Sequence, residues 1–113
     1  MKTSELSGAA LDWAVAKCEV GDSVGSFLDG VVPHPEYNNY RPSTDWSQGG
    51  AIIERERITV IWREIFGTPE ESYWVAEIDC PLTQDYGATP LIAAMRCYVA
   101  SKLGDEIEVP EGV

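Results

Sequence analysis

Apolar residues change their period several times along this chain, and each change marks an expected element. In residues 8–19, Ala10, Leu11, Ala14, Val15 and Cys18 recur at spacings of one, three and four, which places them on one face of a helix. Ser7 stands where an N-cap belongs, and Gly21 where the helix stops. Residues 23–32 alternate weakly and contain Gly25 and Gly30, so a short strand or an irregular segment is expected there. Pro33, Pro35 and Pro42 exclude regular structure through most of the stretch that follows. Asp45 followed by Gln48 matches a capping box, which predicts a second helix from Trp46 to about Arg57. Gly49 and Gly50 each weaken that helix by about 1 kcal/mol relative to alanine. A first turn that accepts this cost needs its backbone close to another element or to a ligand.

Residues 58–66, ITVIWREIF, switch to period two. Ile58, Val60, Trp62 and Phe66 fall on one face, and Thr59, Ile61, Arg63 and Ile65 on the other. Residues 73–79, YWVAEID, read the same way, and GTPEES between them is turn material, so an antiparallel hairpin is expected. Apolar groups on both faces imply a sheet covered in part on both sides. Thr89 and Pro90 are a helix start, with an N-cap hydroxyl and proline at the first helical position. That helix is expected to run to about Lys102, with Leu91, Met95, Tyr98 and Lys102 in one stripe and Ile92, Val99 and Leu103 in its neighbour. Gly104 ends it, and EIEVP suggests a short edge strand closed by Pro110. The predicted class is α+β: a small, mostly antiparallel sheet flanked by about three helices, in the manner of an α/β/α sandwich.

Length and charge narrow the function classes. A chain of 113 residues fits one domain, residues 1–113, with a core that needs neither disulfides nor metal. No apolar run approaches the roughly 18 residues of a membrane span. The first residues, MKTSE, lack the apolar core of a signal peptide, so a cytoplasmic protein is expected. Cys18, Cys80 and Cys97 have neither metal-ligand nor redox spacing and are expected to be reduced thiols, partly buried. The net charge of −11 repels phosphates and anionic lipid at long range, so neither direct nucleic acid binding nor membrane binding is expected. It suits a soluble protein, or one that imitates nucleic acid towards a basic partner. A small sheet with an open edge also allows a homo-oligomer.

No catalytic constellation stands out. His34 has no Ser, Cys or carboxylate at a recognisable spacing, and no His/Cys cluster suggests a metal. No phosphate loop is present, and no cofactor is implied. Asp45 and Asp85 are possible acids or bases, though Asp45 is better explained as a helix cap. The unusual stretch is YNNYRPSTDWSQGG, residues 37–50. One reading makes it a structural plug, with Tyr40 and Trp46 packed on the sheet. The other makes it a ligand site. Tyr37, Tyr40 and Trp46 offer faces for a planar base, and Arg41 offers a fork for phosphate or carboxylate. Ser43, Thr44 and Asp45, with the first-turn residues Ser47, Gln48, Gly49 and Gly50, sit at a helix N-terminus, where anions bind. Arg96, in the middle of the last helix, either reaches out to a carboxylate or contacts a bound phosphate.

Three separated blocks carry a family resemblance: ELSGAALDWAVAKCE, YRPSTDWSQGGAIIERERI and GATPLIAAMRCYVASKLGDEIEVP. In order, and over nearly the whole chain, they resemble the NinX family of phage proteins, small products of accessory regions in lambdoid-type phages and prophages. STDW and TPLIAAMRCYVA are similar also to phage ABA-sandwich domains, which implies helices on both sides of a sheet. The resemblance implies a phage origin and an accessory role in the infected bacterial cell. It brings no catalytic motif.

The favoured expectation is a phage accessory protein that binds and sequesters a small nucleotide-like ligand without catalysis, such as a signal of the host's antiviral defence. The alternatives are an acidic interaction protein that inhibits a basic host protein, and an enzyme that processes nucleotides.

Overall fold

The computed structural model describes residues 1–21, 40–79 and 82–109. The expectations for residues 23–32 and for Tyr37, His34, Cys80 and Pro110 fall outside the described residues.

Helix α1, Gly8–Val20, begins at Ser7, whose side chain makes no capping hydrogen bond, contrary to expectation. Gly21 ends it at φ 60°, a left-handed conformation that glycine adopts without a steric penalty. Its buried residues, Leu11, Trp13, Ala14, Val15 and Ala16, reach beyond the expected stripe, so α1 is enclosed on more than one side. Helix α2, Trp46–Glu56, ends at Arg57, a non-glycine residue at φ 54°. The Ile58 N–H closes that end on the Ile53 carbonyl at 3.0 Å.

Strands β1, Thr59–Arg63, β2, Tyr73–Asp79, and β3, Leu82–Gly87, form an antiparallel sheet in the order β1-β2-β3. The hairpin is as expected, but β1 stops at Arg63. Glu64 interrupts the apolar alternation, and Phe66 lies fully exposed in the turn instead of on the sheet. Strand β3 had no counterpart in the sequence reading. The described part of EIEVP, residues 106–109, is not an edge strand of this sheet. Its Glu106 forms an isolated bridge with Lys2, and Met1 and Ile107 exchange backbone hydrogen bonds at 3.0 Å.

Helix α3, Pro90–Leu103, has the expected cap: Thr89 Oγ1 accepts the Ile92 N–H at 3.1 Å. It packs against all three strands on one side and against α1 and α2 on the other. Ala93, Ala94, Met95, Cys97, Tyr98 and Val99 are therefore buried all round the helix. The α+β class holds, with three helices and a three-stranded antiparallel sheet among the described residues. The layers run sheet, α3, then α1 with α2.

Charged groups bind the helical layer at its surface. Arg55 of α2 holds Glu19 of α1 and Glu56, each at 2.9 Å, and donates to the Tyr98 hydroxyl of α3 at 3.2 Å. The Arg55 bond holds the Glu56 carboxyl below its ordinary pKa. Cys18 and Cys97 are free thiols, half-buried and buried respectively. Burial pushes both up to about 12, helped by Glu19 beside Cys18 and by Asp85 beside Cys97. The expectation of reduced, partly buried thiols is met for these two.

Candidate functional site

Residues 40–50 fold as a turn leading into α2, and the turn is locked by the protein's own polar groups. The Arg41 carbonyl accepts the Thr44 N–H at 3.0 Å and the Asp45 N–H at 2.9 Å. Asp45 caps α2 as expected: its carboxylate accepts the Ser47 N–H at 2.9 Å and the Ser47 hydroxyl at 2.6 Å. These two bonds hold the Asp45 carboxyl below its ordinary range. The reciprocal arm of the capping box goes elsewhere, because Gln48 Oε1 accepts the Arg41 N–H at 2.8 Å. From α1, Asp12 accepts the Ser43 N–H at 2.9 Å. Burial raises the Asp12 carboxyl, and the Ser43 bond opposes the rise. The buried Ser43 hydroxyl lies near enough to affect Asp12, yet not in good hydrogen-bonding geometry.

This geometry decides what the first turn of α2 can offer. The Ser47 N–H faces the Asp45 carboxylate, and the Gln48 and Gly49 N–H groups donate to the Asp45 carbonyl at 3.1 and 2.9 Å. A phosphate arriving at these amides would meet a carboxylate already in place.

Between the starts of α2 and α3 lies a cleft of about 200 Å³. Ser43, Thr44 and Trp46 form one wall, and Thr89, Pro90, Leu91 and Ile92 the other. Trp46 is 58% exposed and does not pack on the sheet, so the expected plug role fails for it. Tyr40 is half-buried against the core, and burial raises its hydroxyl pKa. Gly49 explains the first of the two costly glycines. A Cβ there would collide with the Pro42 carbonyl and lie 2.5 Å from Leu91 Cδ2, so α2 closes on another element of the fold. At Gly50 the nearest atom to a Cβ is Trp46 Cε3 at 3.7 Å, an ordinary contact.

The sequence-predicted residues therefore divide. Ser43, Thr44 and Trp46 come together in the cleft; Asp45, Gln48 and Gly49 build its frame; Arg41 is exposed in the same turn. Among the described residues, Arg96 forms no ion pair with a carboxylate, and it does not line the cleft. It donates to the Leu6 carbonyl at 2.7 Å and the Tyr86 carbonyl at 2.9 Å, tying the first residues to the end of β3. Sequence reasoning missed the wall from α3. The signal was present in Thr89 and Pro90, read as a helix start but not as the partner of a second one.

A second cleft, of about 340 Å³, is lined by Lys2, Thr3 and Ser4, by Gln84, Asp85 and Tyr86, and by Asp105 and Glu106. Asp85 is buried and accepts the Tyr86 N–H at 2.8 Å. Burial raises its carboxyl, Asp105 adds to the rise, and Arg96 opposes it. Among the described residues, no three His, Cys, Asp or Glu side chains are grouped to hold a metal ion, and no helix is long and apolar enough to cross a membrane.

Fold and clefts together define a small acidic α+β protein with clefts at its surface. Its family is shown directly. The chain belongs to the phage family described as Bacteriophage P22, NinX, whose family model matches residues 2–102. No curated protein matches the chain at a significant level.

Proposed function

We propose that this phage protein acts by holding a ligand, not by transforming one, in the infected bacterial cell. The ligand is a small nucleotide-like molecule, of the kind a host antiviral defence uses as a signal, and the protein sequesters it. The observation that carries this reading is Trp46, a large ring 58% exposed at an apolar cleft. Ligand pockets usually measure roughly 300–1,000 Å³. A cleft of about 200 Å³ suits a planar base alone, stacked on the indole, with sugar and phosphate left outside. Arg41 is the cation the turn offers to that phosphate, since the helix amides are already engaged. The charge of −11 opposes any anionic ligand, so base stacking has to supply much of the affinity.

The test is to expose the protein to a metabolite extract of infected cells, wash it, and identify by mass spectrometry what is released. A retained base-containing compound, lost at least tenfold in Trp46→Ala and Arg41→Ala, is expected. Both side chains are exposed, so melting should shift little, within about 0.5 kcal/mol. Equal retention by Trp46→Ala would overturn the cleft, and release of an altered compound would make the protein an enzyme.

A second reading has its own observation. The sheet exposes Leu82 and Tyr86 on the same face as the acidic Glu77 and Asp79, which favours docking on a basic host protein.

A further inference from the structure

Asp85 stands opposite Ala76 in the ladder between β2 and β3. Residues directly opposite each other point to the same side of a sheet. Ala76 belongs to the core cluster with Ala93 and Cys97 of α3. Asp85 therefore carries a carboxylate to the core side of the sheet, where it is 4% exposed. Buried charges are ordinarily neutralised by a paired ion or by several hydrogen bonds. Asp85 has neither. Among the described residues, no lysine or arginine pairs with it, and its side chain accepts one hydrogen bond, from the Tyr86 N–H to Oδ1. Arg96 lies near enough to favour the charge, but its guanidinium is held by the Leu6 and Tyr86 carbonyls.

The second oxygen, Oδ2, is open. Among the described residues, Ser43 Oγ is the one buried side-chain polar atom with neither a partner nor solvent contact. Asp85 Oδ2 is therefore reached from the cleft of about 340 Å³ that Asp85 lines. Residues 2–4 make one wall of that cleft, and Asp105 and Glu106 another. The two are pinned together: the Thr3 N–H donates to the Asp105 carbonyl at 2.8 Å, Thr3 Oγ1 donates to the Gly104 carbonyl at 2.7 Å, and Lys2 bridges Glu106. Every lining residue is a described one, and Lys2, Ser4, Gln84, Asp105 and Glu106 are exposed around the mouth.

The lining is made mostly of acceptors. Asp85, Asp105 and Glu106 set three carboxylates against the Lys2 ammonium. Gln84 donates an amide N–H to Glu77 at 2.7 Å, which leaves its oxygen unbonded. Such groups recognise a ligand that carries N–H donors and positive charge. A metal ion fits poorly, because it needs several oxygens at about 2.0–2.6 Å, and among the described residues no three carboxylates are grouped in that way.

We infer that this cleft binds a small alkyl diamine, with one ammonium group on Asp85 Oδ2 and the other beside Asp105 and Glu106. Three carboxylates and one lysine leave two negative charges to neutralise, which is the charge of a diamine. The chain's net charge of −11, which opposes an anion at Trp46, draws a cation in. The inference is independent of the ligand reading at Trp46, which uses none of these residues.

The probe is 1,4-diaminobutane, titrated at low salt into the isotopically labelled chain, with melting followed in parallel. Saturable amide shifts are expected at Thr3, Ser4, Gln84, Tyr86 and Asp105, with a rise in melting temperature at saturation. Asp85→Asn keeps its shape and an acceptor for the Tyr86 N–H. It should bind at least tenfold more weakly and lose the rise. Glu106→Gln changes an exposed side chain and should weaken binding several-fold at an unchanged melting temperature, so the test does not hang on one variant. Glu70→Gln, in the β1–β2 connection, and Trp46→Ala should leave binding as it is. Equal weakening by Glu70→Gln would reduce the effect to general attraction by the net charge and overturn the site. So would equal binding by Asp85→Asn, equal binding of the uncharged 1,4-butanediol, or no saturable shift at all. A lysine peptide that binds at least tenfold more tightly than the diamine, with the same shifts, would give the cleft to a protein partner and overturn the small-molecule assignment.

Discussion

Met95 and Phe66 are both large apolar side chains, and the fold treats them in opposite ways. Met95 lies in α3, fully enclosed between the sheet and the other helices, whereas Phe66 stands wholly exposed in the β1–β2 connection. The difference lies in position among the layers, not in residue chemistry. Most apolar groups of α3 are consumed by the core, whereas Phe66 in the hairpin turn and Leu82 and Tyr86 on β3 stay available at the surface.

The sharpest way to break this comparison is to truncate both residues. Met95→Ala should lower stability by about 2–5 kcal/mol, and Phe66→Ser should change it by no more than about 0.5 kcal/mol, by urea unfolding. A large loss in Phe66→Ser would mean the turn is packed after all. The next effect concerns the frame of the cleft. Gly49→Ala forces a Cβ against the Pro42 carbonyl and Leu91, and should cost about 1–3 kcal/mol. At Gly50 the same change meets only ordinary contact and should stabilise by up to about 1 kcal/mol, from helix propensity. Thermal melting of the pair separates close approach from propensity.

The smallest effect is a pH dependence at Asp85. Its folded carboxyl titrates above the ordinary 3.8, chiefly because it is buried. The folded state thus holds the proton more tightly than the unfolded one. Asp85 favours folding most below that ordinary value, and the contribution is lost as pH rises through the raised pKa. Asp85→Asn keeps an acceptor for the Tyr86 N–H but has nothing to ionise. Its stability relative to the parent should rise between pH 3 and neutrality, by parallel melts. A flat difference would show that Asp85 is not held in a protonation-sensitive site.

Local signals were legible in the sequence. The Asp45 and Thr89 caps were read correctly, because each bond spans only two or three residues. Strand β2 was read to the residue, because apolar groups alternate along its length. Strand β3 was not. LTQDYG offers only Leu82 and Tyr86 as apolar side chains and ends in glycine, and its pairing with β2 supplies what its own pattern lacks. The exposure of Trp46 was hidden for the same reason, since burial depends on what the rest of the fold brings near. Its exposure separates the plug and ligand readings at Trp46, which the sequence left open, and makes Trp46→Ala a clean test of the cleft. Arg96 bonds carbonyls 90 and 10 residues away, a choice no window of sequence contains.

The central place of α3 has a consequence for the order of events during synthesis. Domains are made from the N-terminus at about 5–20 residues per second, and early segments often begin to organise before the chain is finished. Here α1, α2 and the three strands are all made before α3, and each of them packs against it. A nascent chain that ends before residue 90 has α1, α2 and the sheet but lacks the helix they all pack against. It should stay open on the ribosome, exposed to proteases and chaperones, until the helix over Pro90–Leu103 leaves the exit tunnel.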